Sequence, residues 1–117
     1  MKISLKDLDS INVYRSDGYS LEDTFVKIEE MIDHCKATLI TGDFNVCLKK
    51  KPDNVLTQKL TKVGFSQLVD RSTHVEGGQI DHVYWRDPLG GWTDPVLELY
   101  SPYYSDHDGL LVTLVKR

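Results

Sequence analysis

Cysteine is nearly absent from this chain: there are only Cys35 and Cys47, separated by eleven residues. That spacing matches no zinc site and no redox pair, so the two thiols read as free and intracellular, at least one of them buried. Proline is sparse, with four among the 117 residues, and glycine (eight) is at ordinary usage, while 40% are hydrophobic and 27% charged. Such usage is that of an ordinary globular protein and excludes disordered and fibrous classes. No apolar run approaches the roughly 18 residues a membrane span needs. The first residues, Met1-Lys2-Ile3-Ser4-Leu5-Lys6-Asp7, turn polar too soon for a signal peptide. Nor is there an excess of basic charge. Eighteen acidic residues against 14 basic ones give a net charge of −4, which excludes a protein held on DNA mainly by a broad basic surface. It leaves open an enzyme that touches nucleic acid at one place.

What is present fits a single domain with one modest core. Ser10-Ile11-Asn12-Val13-Tyr14 predicts a strand, closed by the turn-forming Arg15-Ser16-Asp17-Gly18. Ser20 is a good helix N-cap with Asp23 three residues on, and Leu21, Phe25, Ile28, Ile32 and Cys35 then share one helical face. Ala37 to Thr41 predicts a buried strand ending at Gly42, and Leu56, Leu60 and Val63 predict a second helix that stops at Gly64. Further strands are expected over Gln79 to Trp85, Pro95 to Tyr100 and Leu110 to Lys116. The order predicts an α/β (α+β) domain: a mixed, partly antiparallel sheet with helices on one face.

Three polar clusters fall at strand ends, where layered α/β domains build their sites. They are Gly42-Asp43-Phe44-Asn45, Gln79-Ile80-Asp81-His82 and Ser105-Asp106-His107. Each alone reads as turn or surface residues, and strand alternation would send His82 to solvent. Together, Asp43, Asn45, Asp81, Asp106 and His107 offer carboxylates for a hard divalent cation, a carboxylate to orient an imidazole, and an amide to hold an anion. That set suits metal-assisted attack of water on a phosphodiester. The Lys49-Lys50-Lys51 run reads as a solvated loop or, alternatively, as a phosphate-contacting one beside Asn45. Trp85 and Trp92 read as core or interface anchors, and Pro102-Tyr103-Tyr104 as loop packing or a substrate contact.

In order and wording, Val13-Tyr14-Arg15-Ser16, Gly42-Asp43-Phe44-Asn45, Ser72-Thr73-His74, Gln79-Ile80-Asp81-His82 and Ser105-Asp106-His107 resemble motifs of the endonuclease/exonuclease/phosphatase superfamily. The wording is closest to the endonucleases of transposons and retroelements, and runs from about residue 10 to the C-terminus. The resemblance implies catalytic roles for Asp43, Asn45, Asp81 and His107. Asp43 would position or deprotonate water, Asn45 and His107 would contact the phosphate, and Asp81 would hold the other nitrogen of His107. It implies a phosphate contact for Tyr14 and for Asp17, which lies where some relatives carry a phosphate-contacting asparagine, metal binding by Asp106 and Asp43, and a loop role for Thr73 and His74. Mg²⁺ or Mn²⁺ is the implied cofactor, weakly held, and nucleic acid, DNA ahead of RNA, the implied substrate.

The resemblance covers only the second half of a four-layer sandwich that in the family spans about 250 residues, near the limit for one core. The half that carries the usual metal-binding asparagine and glutamate has no counterpart here; Asp7, Asp9 and Glu22 are the possible stand-ins. A half-sandwich would leave one sheet face open, so a homodimer or a partner chain is expected to cover it. A separate chain supplying the first half would have the same effect. Two functions follow: a Mg²⁺-dependent phosphodiester hydrolase, endonuclease-like, or a catalytically inactive half-domain used for binding or self-assembly. No membrane association and an intracellular location, nuclear or cytoplasmic, are expected.

Overall fold

The computed structural model describes residues 1–16, 18–46, 53–68, 81–100 and 109–117. A mixed five-stranded sheet runs β1 (Lys2–Ser4), β2 (Leu8–Tyr14), β3 (Ala37–Asp43), β5 (Asp81–Arg86) and β4 (Ser66–Gln67) from edge to edge. Only β2 and β3 are parallel, and α1 (Leu21–Met31) makes the crossover between them. The other pairs in that sheet are antiparallel. A second helix, α2 (Val55–Lys62), follows β3, and β6 (Val96–Tyr100) and β7 (Gly109–Thr113) form a separate antiparallel pair.

Both helices start where a side-chain cap is available. Ser20 Oγ accepts from the Asp23 amide at 3.0 Å, and Asn54 Oδ1 accepts from the Thr57 amide at 2.9 Å. The periodic faces then pack as their spacing requires. Phe25 and Ile28 from α1, Ile32 just after it, and Leu56 and Leu60 from α2 join Ile11, Ile40, Phe44, Phe65 and Tyr84 in one buried cluster. Both helices therefore lie on the same sheet face. At Gly64 the backbone takes φ +97° and ends α2 in a conformation that suits glycine.

The structure departs from the expectations at several points. Helix α1 ends at Met31 because Ile32 turns extended, so Cys35 lies beyond the helix and is exposed rather than on its buried face. Its partner in sequence, Cys47, lies outside the described residues. The short strands β1 and β4 carry no alternating pattern long enough to announce them. The largest correction concerns the second face of the sheet, which was expected to lie open. Here Val83 is fully buried against Leu39, Leu68, Leu97 and Val112, the last two from β6 and β7. Beside it, Trp85 and Leu8 pack with Leu39, Trp92 and Leu114. The Trp85 and Trp92 rings meet edge to face at 6.5 Å between centroids, the anchor role expected of them. The final segment folds back over β3 and β5 because those strands present Leu39, Val83 and Trp85 there, and the chain's own hairpin removes that surface from water. Among the described residues, no helix is long and apolar enough to cross a membrane.

Candidate functional site

The second sheet face changes character along its strands. Reading across β2, β3 and β5, Ser10 pairs with Leu39 and Leu39 with Trp85; next come Asn12, Thr41 and Val83; last come Tyr14, Asp43 and Asp81. Apolar residues thus give way to polar ones toward the C-terminal ends of β2 and β3. Asn12 Nδ2 donates to Thr41 Oγ1 at 3.0 Å in the middle row. The last row brings Tyr14, Asp43 and Asp81 into register at one end of the sheet.

Gly42, before this row, is required by the backbone. A Cβ there would overlap the carbonyl of Val13 on the neighbouring strand. Beyond Asp43 the chain leaves the sheet in a tight loop. Asp43 Oδ1 accepts from the Asn45 amide at 3.0 Å, an Asx-type turn, and Asn45 takes φ 53°. Asparagine adopts that left-handed conformation more readily than most residues.

Two side chains then hold the carbonyls of this loop. Arg15 Nε donates to Phe44 O at 2.6 Å and Nη2 to Asn45 O at 3.2 Å, while Nη1 reaches Tyr19 O at 2.5 Å. One planar guanidinium therefore ties the loop after β3 to the turn before α1, using several donors in a fixed fork. In return Asn45 Nδ2 donates to Arg15 O at 2.7 Å. On the other side His82 Nε2 lies 2.8 Å from Val46 O. A carbonyl only accepts, so Nε2 carries the proton. The ring stacks on Phe44 with centroids 4.9 Å apart, and its Nδ1 lies 2.9 Å from the Tyr84 hydroxyl, itself 2.8 Å from Thr57 Oγ1. Burial pushes the Tyr84 phenol up to about 12 against a lowering hydrogen bond from Thr57, so this hydroxyl stays protonated at neutral pH.

His82 is thus fully buried, not solvent-facing. The register explains it: His82 pairs with Gly42 and Tyr84 with Ile40, positions of β3 on the helix-covered side. Neither His82 nor Arg15 was assigned a loop-holding role from the sequence. Arg15 was visible only as part of Tyr14-Arg15-Ser16, and no local pattern reports which carbonyls a guanidinium will meet.

Tyr14 is 73% exposed at the end of β2. Asp43 and Asn45 are half-buried and adjacent in the loop. Asp81 stands in register opposite Asp43. Asp106, His107, Asp17, Thr73, His74, the Lys49 to Lys51 run, Gln79, Ile80 and Pro102 to Tyr104 lie outside the described residues. Two of the three possible stand-in metal ligands have other partners. Asp7 pairs with Lys116, and Asp9 is buried with Lys36 at 2.7 Å and Lys2 at 3.5 Å. Glu22 lies exposed in the first turn of α1. For a hard cation, Asp43 offers the right chemistry: one carboxylate oxygen is fixed by the Asn45 amide, which orients the other. No family model matches the chain, and no curated protein or solved structure is significantly similar to it.

Proposed function

We propose that the chain is a metal-dependent phosphodiester hydrolase of nucleic acid, endonuclease-like, with its site at the C-terminal end of β2 and β3. The observation that carries this reading is the row of Tyr14, Asp43 and Asp81 across three adjacent strands, beside the Asn45 loop. Asp43 would hold the attacking water or a Mg²⁺ or Mn²⁺ ion, with Asp106 as the second carboxylate. Such an ion supplies a Lewis acid and lowers the pKa of bound water. Asn45 and Tyr14 would contact the phosphate, and His107, oriented by Asp81, would stabilise its developing charge. Arg15 and His82 keep the loop in one conformation, which limits the reorganisation needed when substrate arrives. The likeness of five ordered motifs to the endonuclease/exonuclease/phosphatase superfamily supports the same chemistry.

A second reading, a catalytically inactive binding or assembly module, is favoured by one observation. The Asn45 side-chain amide already donates to Arg15 O, so the residue has a structural role without a ligand.

Nicking of supercoiled plasmid with Mg²⁺ or Mn²⁺ separates the two. The first reading expects metal-dependent nicking that is lost in both Asp43→Ala and His107→Ala. Equal background cleavage by all three proteins would overturn it in favour of the second.

A further inference from the structure

Beside the candidate site lies a cavity of about 550 Å³ between the end of β2 and α1, within the size range of small-ligand pockets. Its lining includes Val13, Ile28 and Met31, and Tyr14 and Tyr19 also border it. Three large apolar side chains along it stand open to water: Tyr14 at 73%, Tyr19 at 66% and Val26 at 49% exposed. Exposed tyrosine rings along a groove offer flat faces on which a planar ligand can stack.

The charge there runs against that of the chain. Although the protein carries a net −4, the charged residues bordering the groove among those described are Arg15 and Lys27 against Asp23. The hydrogen bonds of the Arg15 guanidinium go to backbone carbonyls of Ser16, Tyr19, Phe44 and Asn45, so its charge is solvated without being neutralised. Flat rings, an apolar floor and a local positive charge together suit a planar, anionic ligand. Tyr14 borders this groove and is also the register partner of Asp43, so an occupant would abut the candidate hydrolytic site.

We propose that this groove binds a base of single-stranded nucleic acid next to the phosphodiester at Asp43, stacking it on Tyr19. The choice of a nucleotide rests on the hydrolase reading above. Stacking of this kind tolerates any base, because every base has a π-face, and Lys27 would answer the flanking phosphate. The groove thus makes the site favour unpaired or frayed strands over intact duplex.

The test is binding of a short single-stranded oligodeoxynucleotide bearing a fluorescent base analogue, titrated against the full chain in EDTA so that no cleavage occurs. Quenching with saturable affinity is expected, and Tyr19→Ala should weaken it about tenfold or more, since alanine substitution removes one stacking platform. Lys27→Glu should also weaken binding and lower the salt slope by about one unit, whereas Lys62→Glu on the exposed side of α2 should leave both unchanged. Tyr19 and Lys27 are exposed, so these variants should keep the parent melting temperature. No binding by the parent protein, or equal affinity in Tyr19→Ala, overturns the proposal. So does a concentration-dependent dimer that Val26→Glu abolishes, because the groove would then hold a second copy. Tyr19-dependent binding without any metal-dependent nicking would instead sink the hydrolase reading and leave the groove standing as a nucleic-acid site.

Discussion

The two faces of the five-stranded sheet follow different rules. On the helix-covered face, Ile11, Ile40 and Tyr84 are almost wholly buried, and even the histidine there is sealed in by hydrogen bonds from its ring. On the opposite face burial is graded: Trp85 and Val83 are covered, Asn12 is exposed, and Tyr14 stands open at the end. Away from the groove between β2 and α1, the helix-covered face serves stability. A face whose covering hairpin stops short can stabilise at one end and present chemistry at the other. The same strand β3 serves both, since alternate residues point to opposite sides. Its Ile40 packs with the helices while Leu39, Thr41 and Asp43 mark the gradient from apolar to charged.

This comparison can be broken most sharply at Ile40. Ile40→Ala should cost about 4 kcal/mol by urea unfolding, because a fully buried aliphatic side chain leaves a cavity. Leu39→Ala, on the partly covered face, should cost about half of that. Equal losses would show the second face to be as tightly packed as the first. Gly42→Ala comes next, at about 3 kcal/mol, because the added methyl meets the Val13 carbonyl rather than a movable side chain. A milder loss measured by thermal unfolding would mean that β2 and β3 can part at the site end.

Two smaller effects concern charge and pH. Burial alone would raise the Asp9 carboxyl, but hydrogen bonds from Lys36 and Ser4 and the charges of Lys2 and Lys36 outweigh it, and the group sits below its ordinary value. A depressed carboxylate stabilises the fold above its unfolded pKa and loses that contribution as pH falls through the folded one. Asp9→Asn should therefore cost about 2 kcal/mol at neutral pH and little in strong acid, measured by urea unfolding at both. A pH-independent loss would contradict the ion-pair account. Tyr84 runs in the other direction. Its raised value means stability is fully present below about pH 10 and declines as pH climbs toward about 12. Tyr84→Phe should cost about 1 kcal/mol at neutral pH through its lost hydrogen bonds to Thr57 and His82, and should soften the alkaline unfolding step.

Most elements of the fold were legible in local pattern. Ser20 and the spacing of Leu21, Phe25 and Ile28 mark α1, and Leu56, Leu60 and Gly64 mark α2 to within a residue or two. Periodicity overreached at Ile32 and Cys35, where the repeat continued after the chain had turned extended, and the last strand, expected to reach Lys116, ends at Thr113. The short strands β1 and β4 exist because neighbours pair with them, and nothing in three or two residues could announce that. Of the candidate site, Asp43 and Asn45 were legible from the glycine that precedes them and the strand that ends there. The burial of His82 was not, because strand alternation gives two faces without saying which of them the helices will cover.

The amino-acid sequence by itself determined the elements and the polar clusters at their ends, since caps, periodicity and glycine act over a few neighbouring residues. Tertiary structure alone decided that Tyr14, Asp43 and Asp81 share one row. It also decided that Arg15 and His82 hold the loop between them, and that β6 and β7 cover part of the face expected to lie open. Those outcomes depend on strand register and on which apolar surfaces meet, and both are set by contacts between residues far apart in the chain.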